Sequence, residues 1–200
     1  MHEMRYSGDS FLRLENMVEI AKHRGLDGIC ITDHDSMGLK EFAAEYSEKT
    51  GFPIFVGIEF YSLQGDIVAF GIEDYPKERI PAQEFVDLVQ AQGGMCFSAH
   101  PFRNNNRGLE ENLKIVKGLD GIEVLNGSTL YEANRKAAEY AAELGLATVG
   151  SSDCHVPEKL GIYATYFPRE IRSVQELIRS VKRCETLPVY YKRVDIISGI

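Results

Sequence analysis

Two hundred residues, 44% of them hydrophobic and 26% charged, make a globular chain of about one domain's length, or a barrel slightly short of the usual size. A formal charge of −8 disfavours sequence-independent binding of nucleic acid through a broad basic face. Divalent cations gathered at one point would offset much of that charge and admit a small anionic substrate. No apolar run approaches the roughly 20 residues that cross a bilayer, and no signal peptide is read at the start. The cysteines (Cys30, Cys96, Cys154, Cys184) form no CxxC pair, which suits a reducing, cytoplasmic home.

Along the chain, Ser10 is placed to cap a first helix. Its apolar positions Leu12, Met17, Val18, Ile20 and Ala21 share one broad face, and it stops at Gly25. The run 26–32 predicts a buried strand, 38–50 a helix, 54–58 a strand ending just before Glu59, and 67–70 a further short strand. Pro81 suits the first turn of a helix reaching about residue 92, where Gly93 and Gly94 stop it. A strand over 95–98, a polar loop over 103–108, a helix near 109–117, a strand over 121–125 and a long helix over 129–144 follow. Strands over 147–150 and 163–167, a helix capped by Ser173 and running to about 183, and a strand over 187–191 complete the order. Such alternation implies parallel strands with right-handed crossovers, in a barrel or an open wound sheet. No linker or repeat divides residues 1–200, which read as a single domain.

The predicted strand ends carry the chemistry. His34 lies between Asp33 and Asp35 after the first strand, and Glu59 closes the second. His100, kept extended by Pro101, closes 95–98. Asp153 and His155 follow 147–150 and, two apart, project to one side of an extended segment. With His2 and Asp9 near the start, these residues would form a nitrogen-and-oxygen cage suited to Zn²⁺, Mn²⁺ or Fe²⁺. Each also has a plainer role. Asp33 or Asp35 could cap the next helix and Asp9 the first, while His23 reads as a solvated helix residue. Against that, an Asp beside a ligating His orients its ring, and a lone Glu59 is costly to bury without a cation. Arg103 is placed either to grip a phosphate through paired N–H groups or to stay in solvent. No GxSxG elbow is present, and Gly93-Gly94 is a helix stop, not a phosphate loop.

Taken in order, His2 with Asp9, Thr32-Asp33-His34, Gly57-Ile58-Glu59, His100-Pro101 and Ser152-Asp153-Cys154-His155 resemble the motifs of the polymerase and histidinol phosphatase (PHP) superfamily. The resemblance runs from residue 2 to about residue 167. It implies an α/β fold, a distorted (βα)7-type barrel in a single domain, here lacking its first strand. It also implies two or three Zn²⁺, Mn²⁺ or Fe²⁺ ions and hydrolysis of phosphate esters through a metal-bound hydroxide. Carried onto this sequence, Glu59 bridges two ions, with His100 on one of them. Asp153 joins Glu59 and the histidine motif on another, and Asp9, His34 and His155 hold the third. Asp33 and Arg103 are the expected catalytic residues, Arg103 also binding the substrate phosphate.

Two positions depart from the family pattern, which opens with two histidines separated by one residue. If His2 is the first, Met4 replaces the second with a thioether, a poor ligand for these ions. If His2 is the second, the first lies upstream, and this version also accounts for the absent opening strand. At Gly65-Asp66-Ile67-Val68, where relatives often carry a histidine, either Asp66 serves as an oxygen ligand or the centre keeps two ions. The expected activity is hydrolysis of a small phosphorylated metabolite, with no membrane partner. The alternatives are a nuclease, for which 103–107 and Tyr190-Tyr191-Lys192-Arg193 are the candidate contact segments, and a non-catalytic metal-binding regulatory domain.

Overall fold

The computed structural model describes residues 1–190. Six strands form one mixed sheet in chain order: β1 (Ile29–His34), β2 (Ile54–Tyr61), β3 (Asp66–Phe70), β4 (Met95–Ser98), β5 (Gly121–Asn126) and β6 (Ala147–Ser151). The sheet curls into a half-barrel. Five of its strands run one way, and β3 runs antiparallel to both β2 and β4. The all-parallel expectation is corrected here, and the reason is the link. Only residues 62–65 join β2 to β3, with Ser62 N–H and Oγ–H both donated to Gly65 O. A parallel crossover needs a dozen or more residues, so this link can only turn a hairpin.

Helices α1 (Leu14–Arg24), α2 (Lys40–Thr50), α3 (Ala82–Ala91) and α4 (Tyr131–Leu144) cover the outer face of the sheet. α1 ends on Gly25 at φ +79°, the left-handed cap that glycine adopts without strain. α5 (Val174–Lys182) begins with a capping box between Ser173 and Glu176 and packs on the inner side. A two-stranded antiparallel sheet of β7 (Tyr163–Tyr166) and β8 (Leu187–Tyr190) adjoins β6, where Gly150 N–H and O both bond Thr165 Oγ1. β3 shows why its run is so apolar. Ile67 and Ala69 pack outward among Ile58, Phe85 and Ile122, while Val68 and Phe70 pack inward among Met95, Leu177 and Val181. Alternate residues face opposite sides, and here both sides are covered.

Two other expectations change. Ser10 caps no helix: α1 starts after an extended Arg13, and Ser10 Oγ–H is donated to His2 O at 2.6 Å while accepting Leu12 N–H. The helix expected near 109–117 is only a 3₁₀ turn, Glu110–Lys114. There the Asn112 side chain donates to Leu109 O, a local bond that competes with helix propagation. The last predicted strand is seen to Tyr190, and Tyr191 lies outside the described residues.

Candidate metal centre

The strand directions bring the chemistry to one edge. His34 and Asn126 end forward strands, His100 and Asp153 follow them, Glu59 stands two residues before the end of β2, and Asp66 joins them because it begins the reversed strand. His34 and Glu59 are register partners across β1 and β2, as Tyr61 and Asp66 are across β2 and β3. Gly57 permits this approach, since a Cβ there would stand 2.3 Å from Ala69 O. Neither keeps the extended geometry expected of it: His100 and Asp153 leave their strands in the left-handed region, at φ +27° and +43°. Non-glycine residues held in that strained region concentrate at functional sites.

The N-terminal segment is tied in rather than frayed. Met1 O accepts Thr32 N–H at 2.9 Å, and His2 N–H reaches Cys154 O at 3.3 Å, so His2 is buried between β1 and the segment after β6. Asp33, expected to act beside His34, serves this segment instead. Its Oδ1 accepts Glu3 N–H at 2.5 Å and Ser7 Oγ–H at 2.8 Å, and Ser7 Oγ lies 3.5 Å from His2 Nδ1. Asp35 accepts Tyr61 N–H, and Met4 is exposed.

Among the described residues two groups of donors result, each with its ligand atoms within 4.8 Å of one another: His2, His34 and His155, and Glu59, Asp66 and His100. Buried Glu59 stands between them. Its Oε1 is 3.1 Å from His100 Nε2, and its Oε2 is 2.8 Å from His34 Nδ1 and 3.7 Å from His2 Nε2. Asp153 Oδ1 lies 3.0 Å from His2 Nε2. Asp9 Oδ2 lies 3.2 Å from His155 Nε2 and 3.4 Å from His34 Nε2. The imidazoles of His34 and His155 each stack on that of His2 at 4.3 Å. His34 Nδ1 meets Glu59 off the hydrogen-bonding direction, and buried His100 Nδ1 has no hydrogen-bond partner among the described residues. Imidazole nitrogens crowded on buried carboxylates, some without a bonded partner, fit a set of divalent cations.

The electrostatics agree with that fit. Burial pushes the Glu59 carboxyl up, but His100 and His34 outweigh it and hold it well below its usual range. Burial pushes His34 down, and Glu59 reverses this, raising it to about 9. His100 is raised in the same way. In His2 burial prevails over the Asp153 contact and lowers the ring to about 4. Without metal, a proton on His34 carries charge that balances Glu59 near neutral pH.

Arg103 is not a solvated loop residue. Its Nη2 contacts Asp153 Oδ2 and Asn126 Oδ1, and its Nε donates to Thr129 Oγ1 at 3.0 Å. Asp66 is gripped through both oxygens by Arg107, at 2.7 and 2.9 Å, and stands 3.6 Å from His100 Nε2. Sequence reasoning missed Glu123 and Asn126, and read Arg107 only as part of the 103–107 contact segment, not as the partner of Asp66. A charged Glu123 inside the apolar run 121–125 was the available signal.

Residues 131–186 match the family described as PHP-associated. An uncharacterised protein of Methanocaldococcus jannaschii is 28% identical over 119 residues, 59% of this chain and 68% of its own length. A candidate metal-dependent phosphoesterase of Bifidobacterium adolescentis shares the fold with a TM-score of 0.68 at 18% identity, over 90% of this chain and 94% of that one. So does endonuclease Q, solved with a 27-mer duplex carrying an abasic lesion, with a TM-score of 0.70 at 15% identity over 91% of this chain and 55% of that one. In its ordered motifs, its PHP-associated segment and its fold, the chain resembles the PHP superfamily of metal-dependent phosphoesterases.

Proposed function

We propose that this chain is a metal-dependent phosphoesterase that hydrolyses a small phosphorylated molecule. Its two or three ions would be held by His2, Asp9, His34, Glu59, Asp66, His100, Asp153 and His155. The observation that carries the reading is Glu59, a buried carboxylate with one oxygen toward His100 and the other toward His34 and His2. Divalent ions held there would lower the pKa of water and neutralise phosphate oxygens. The protein's own groups do the rest. Arg103, anchored beside Asp153, offers N–H donors to a phosphate oxygen. Asp33, through Ser7, fixes the loop that presents His2. Residues 1–200 are read as a single domain, with the half-barrel and the β7–β8 sheet as parts of a distorted barrel of the seven-unit kind.

The test is a panel of phosphomonoesters and phosphodiesters with Mn²⁺, Zn²⁺ or Fe²⁺, run beside anomalous scattering from soaked crystals. EDTA-sensitive phosphate release, with ions against Glu59, is expected. Ions bound elsewhere, or no turnover of any ester, would overturn the proposal.

A nuclease is the second reading, and one feature favours it. The Tyr61 ring is flanked by Arg79 at 3.7 Å and Arg107 at 4.5 Å, next to Asp66. Aromatic and basic groups together suit single-stranded nucleic acid, and endonuclease Q has this fold with a DNA duplex bound. The acidic net charge therefore does not rule out such a substrate. Residues 191–193 of the basic tail lie outside the described residues. Faster cleavage of a labelled oligonucleotide than of a simple phosphomonoester would favour this reading.

A further inference from the structure

We propose that Glu123 and Asn126 are positioning residues that clamp the two halves of the metal centre, Glu123 through the main chain of His100 and Asn126 through the carboxylate of Asp153. The inference rests on the metal-dependent reading above. Both residues are buried, at 3% and 0% exposure, and neither is in the two donor groups.

The local cause is an irregularity in β5. Its register with β6 shifts between Glu123 and Leu125, so Val124 falls out of step. Residues three apart face opposite sides of a regular strand, and a bulge brings them to one side. Asn126 Nδ2 thereby reaches Glu123 Oε2 at 2.9 Å.

The bonding then divides cleanly. Glu123 Oε2 also accepts the His100 N–H at 2.7 Å, holding a residue whose left-handed backbone needs an anchor. Glu123 Oε1 accepts Ser151 Oγ–H. Asn126 Nδ2 donates to Asp153 Oδ2 at 3.1 Å, so that Oδ1 is left toward His2. Asn126 Oδ1 accepts from Ser128 N–H, Thr129 Oγ1 and Arg103 Nη2. Carboxylates on one side of the amide and donors on the other fix its orientation. The Asn134 side chain bonds the Asn126 main chain at both N–H and O, which ties the clamp to α4. What Glu123 must supply is an acceptor oxygen, not a charge or a ligand atom.

This separates Glu123→Gln from Glu123→Ala. Zn²⁺ and Mn²⁺ content and affinity, and exchange of the His100 amide proton in the metal-free protein, are measured for both and for Asn126→Ala. Partners outside the ligand shell typically contribute about 10- to 100-fold in metal affinity. Glu123→Ala should lose about that factor and release the His100 amide to fast exchange, while Glu123→Gln restores both. Asn126→Ala should weaken metal binding similarly and also lower the affinity of the loaded protein for inorganic phosphate, because Arg103 loses its rest. Wild-type behaviour of Glu123→Ala, or a Glu123→Gln as impaired as Glu123→Ala, would overturn the clamp. Absence of metal from the wild type would instead sink the phosphoesterase reading, and the His100 exchange rates would still decide the clamp.

Discussion

Metal binding at this centre should expel protons, and the structure sets the pH range over which it does so. A ligating imidazole must be neutral, so a histidine that holds its proton opposes the ion. His34 is the main obstacle, because Glu59 overcomes the effect of burial and keeps its pKa at about 9. Near pH 7 that leaves a gap of about two pH units, or roughly 2.7 kcal/mol, which weakens apparent metal affinity about a hundredfold. His100, raised in the same direction by Glu59, opposes the ion in the same sense. His2, lowered to about 4, is already neutral and does not. Affinity should therefore climb with pH and flatten above about 9. The metal-free protein carries the matching stability signature. The stabilisation from protonated His34 is complete below the unfolded histidine value of about 6.5 and is lost as pH rises through about 9. That from neutral His2 is present above about 6.5 and is lost as pH falls toward about 4. Calorimetric Mn²⁺ titrations between pH 6.5 and 9, in buffers of different ionisation enthalpy, count the protons. A buffer-independent heat and a flat affinity over that range would refute the coupling of Glu59 to His34 and His100.

Arg103→Ala should weaken binding of inorganic phosphate to the protein saturated with metal by the worth of a charge-assisted hydrogen bond, about 1.5–3 kcal/mol. Unaltered phosphate affinity would leave Arg103 only its tether to Asp153. Arg107→Ala strips a buried carboxylate of its partner and should destabilise the metal-free protein by about 3–5 kcal/mol in urea unfolding. Saturating Zn²⁺ should recover much of that loss if Asp66 is a ligand, and equal losses with and without metal would argue that it is not. Gly57→Ala drives a Cβ against Ala69 O and should cost about 1–3 kcal/mol while displacing Glu59. A normal Tm together with normal metal content would contradict that.

The order of strands and helices was legible because its signals are local. The runs 95–98 and 147–150 are short apolar stretches bounded by glycine and polar residues, and each is a strand. The capping box at Ser173 needs only Glu176 three residues on. The candidate donors could likewise be read as polar residues that interrupt or end apolar runs, as Glu59 and His100 do. The direction of β3 was legible too, but in the link rather than in the strand: residues 59–66, between the runs 54–58 and 67–70, are too few for a parallel crossover. Ser10 misled for a different reason. Its hydroxyl found a closer partner in His2 O, eight residues back, than in the helix ahead.

By itself, the sequence determined the order of strands and helices, apart from the 3₁₀ turn at Glu110–Lys114, and which histidines and carboxylates would stand at or near strand ends. Burial preference and backbone propensity act over a few residues and leave their pattern in the chain. Only the tertiary structure decided who meets whom. Arg107 reaches Asp66 because the 62–65 hairpin reverses β3 and brings its first residue to the edge where forward strands end. Asn126 reaches Glu123 and Asp153 because β5 slips register against β6. Asp33 turns to Glu3 and Ser7 rather than to His34 because the N-terminal segment lies against β1. Register and segment docking are settled by packing between residues distant in the chain. No local pattern of residues encodes them.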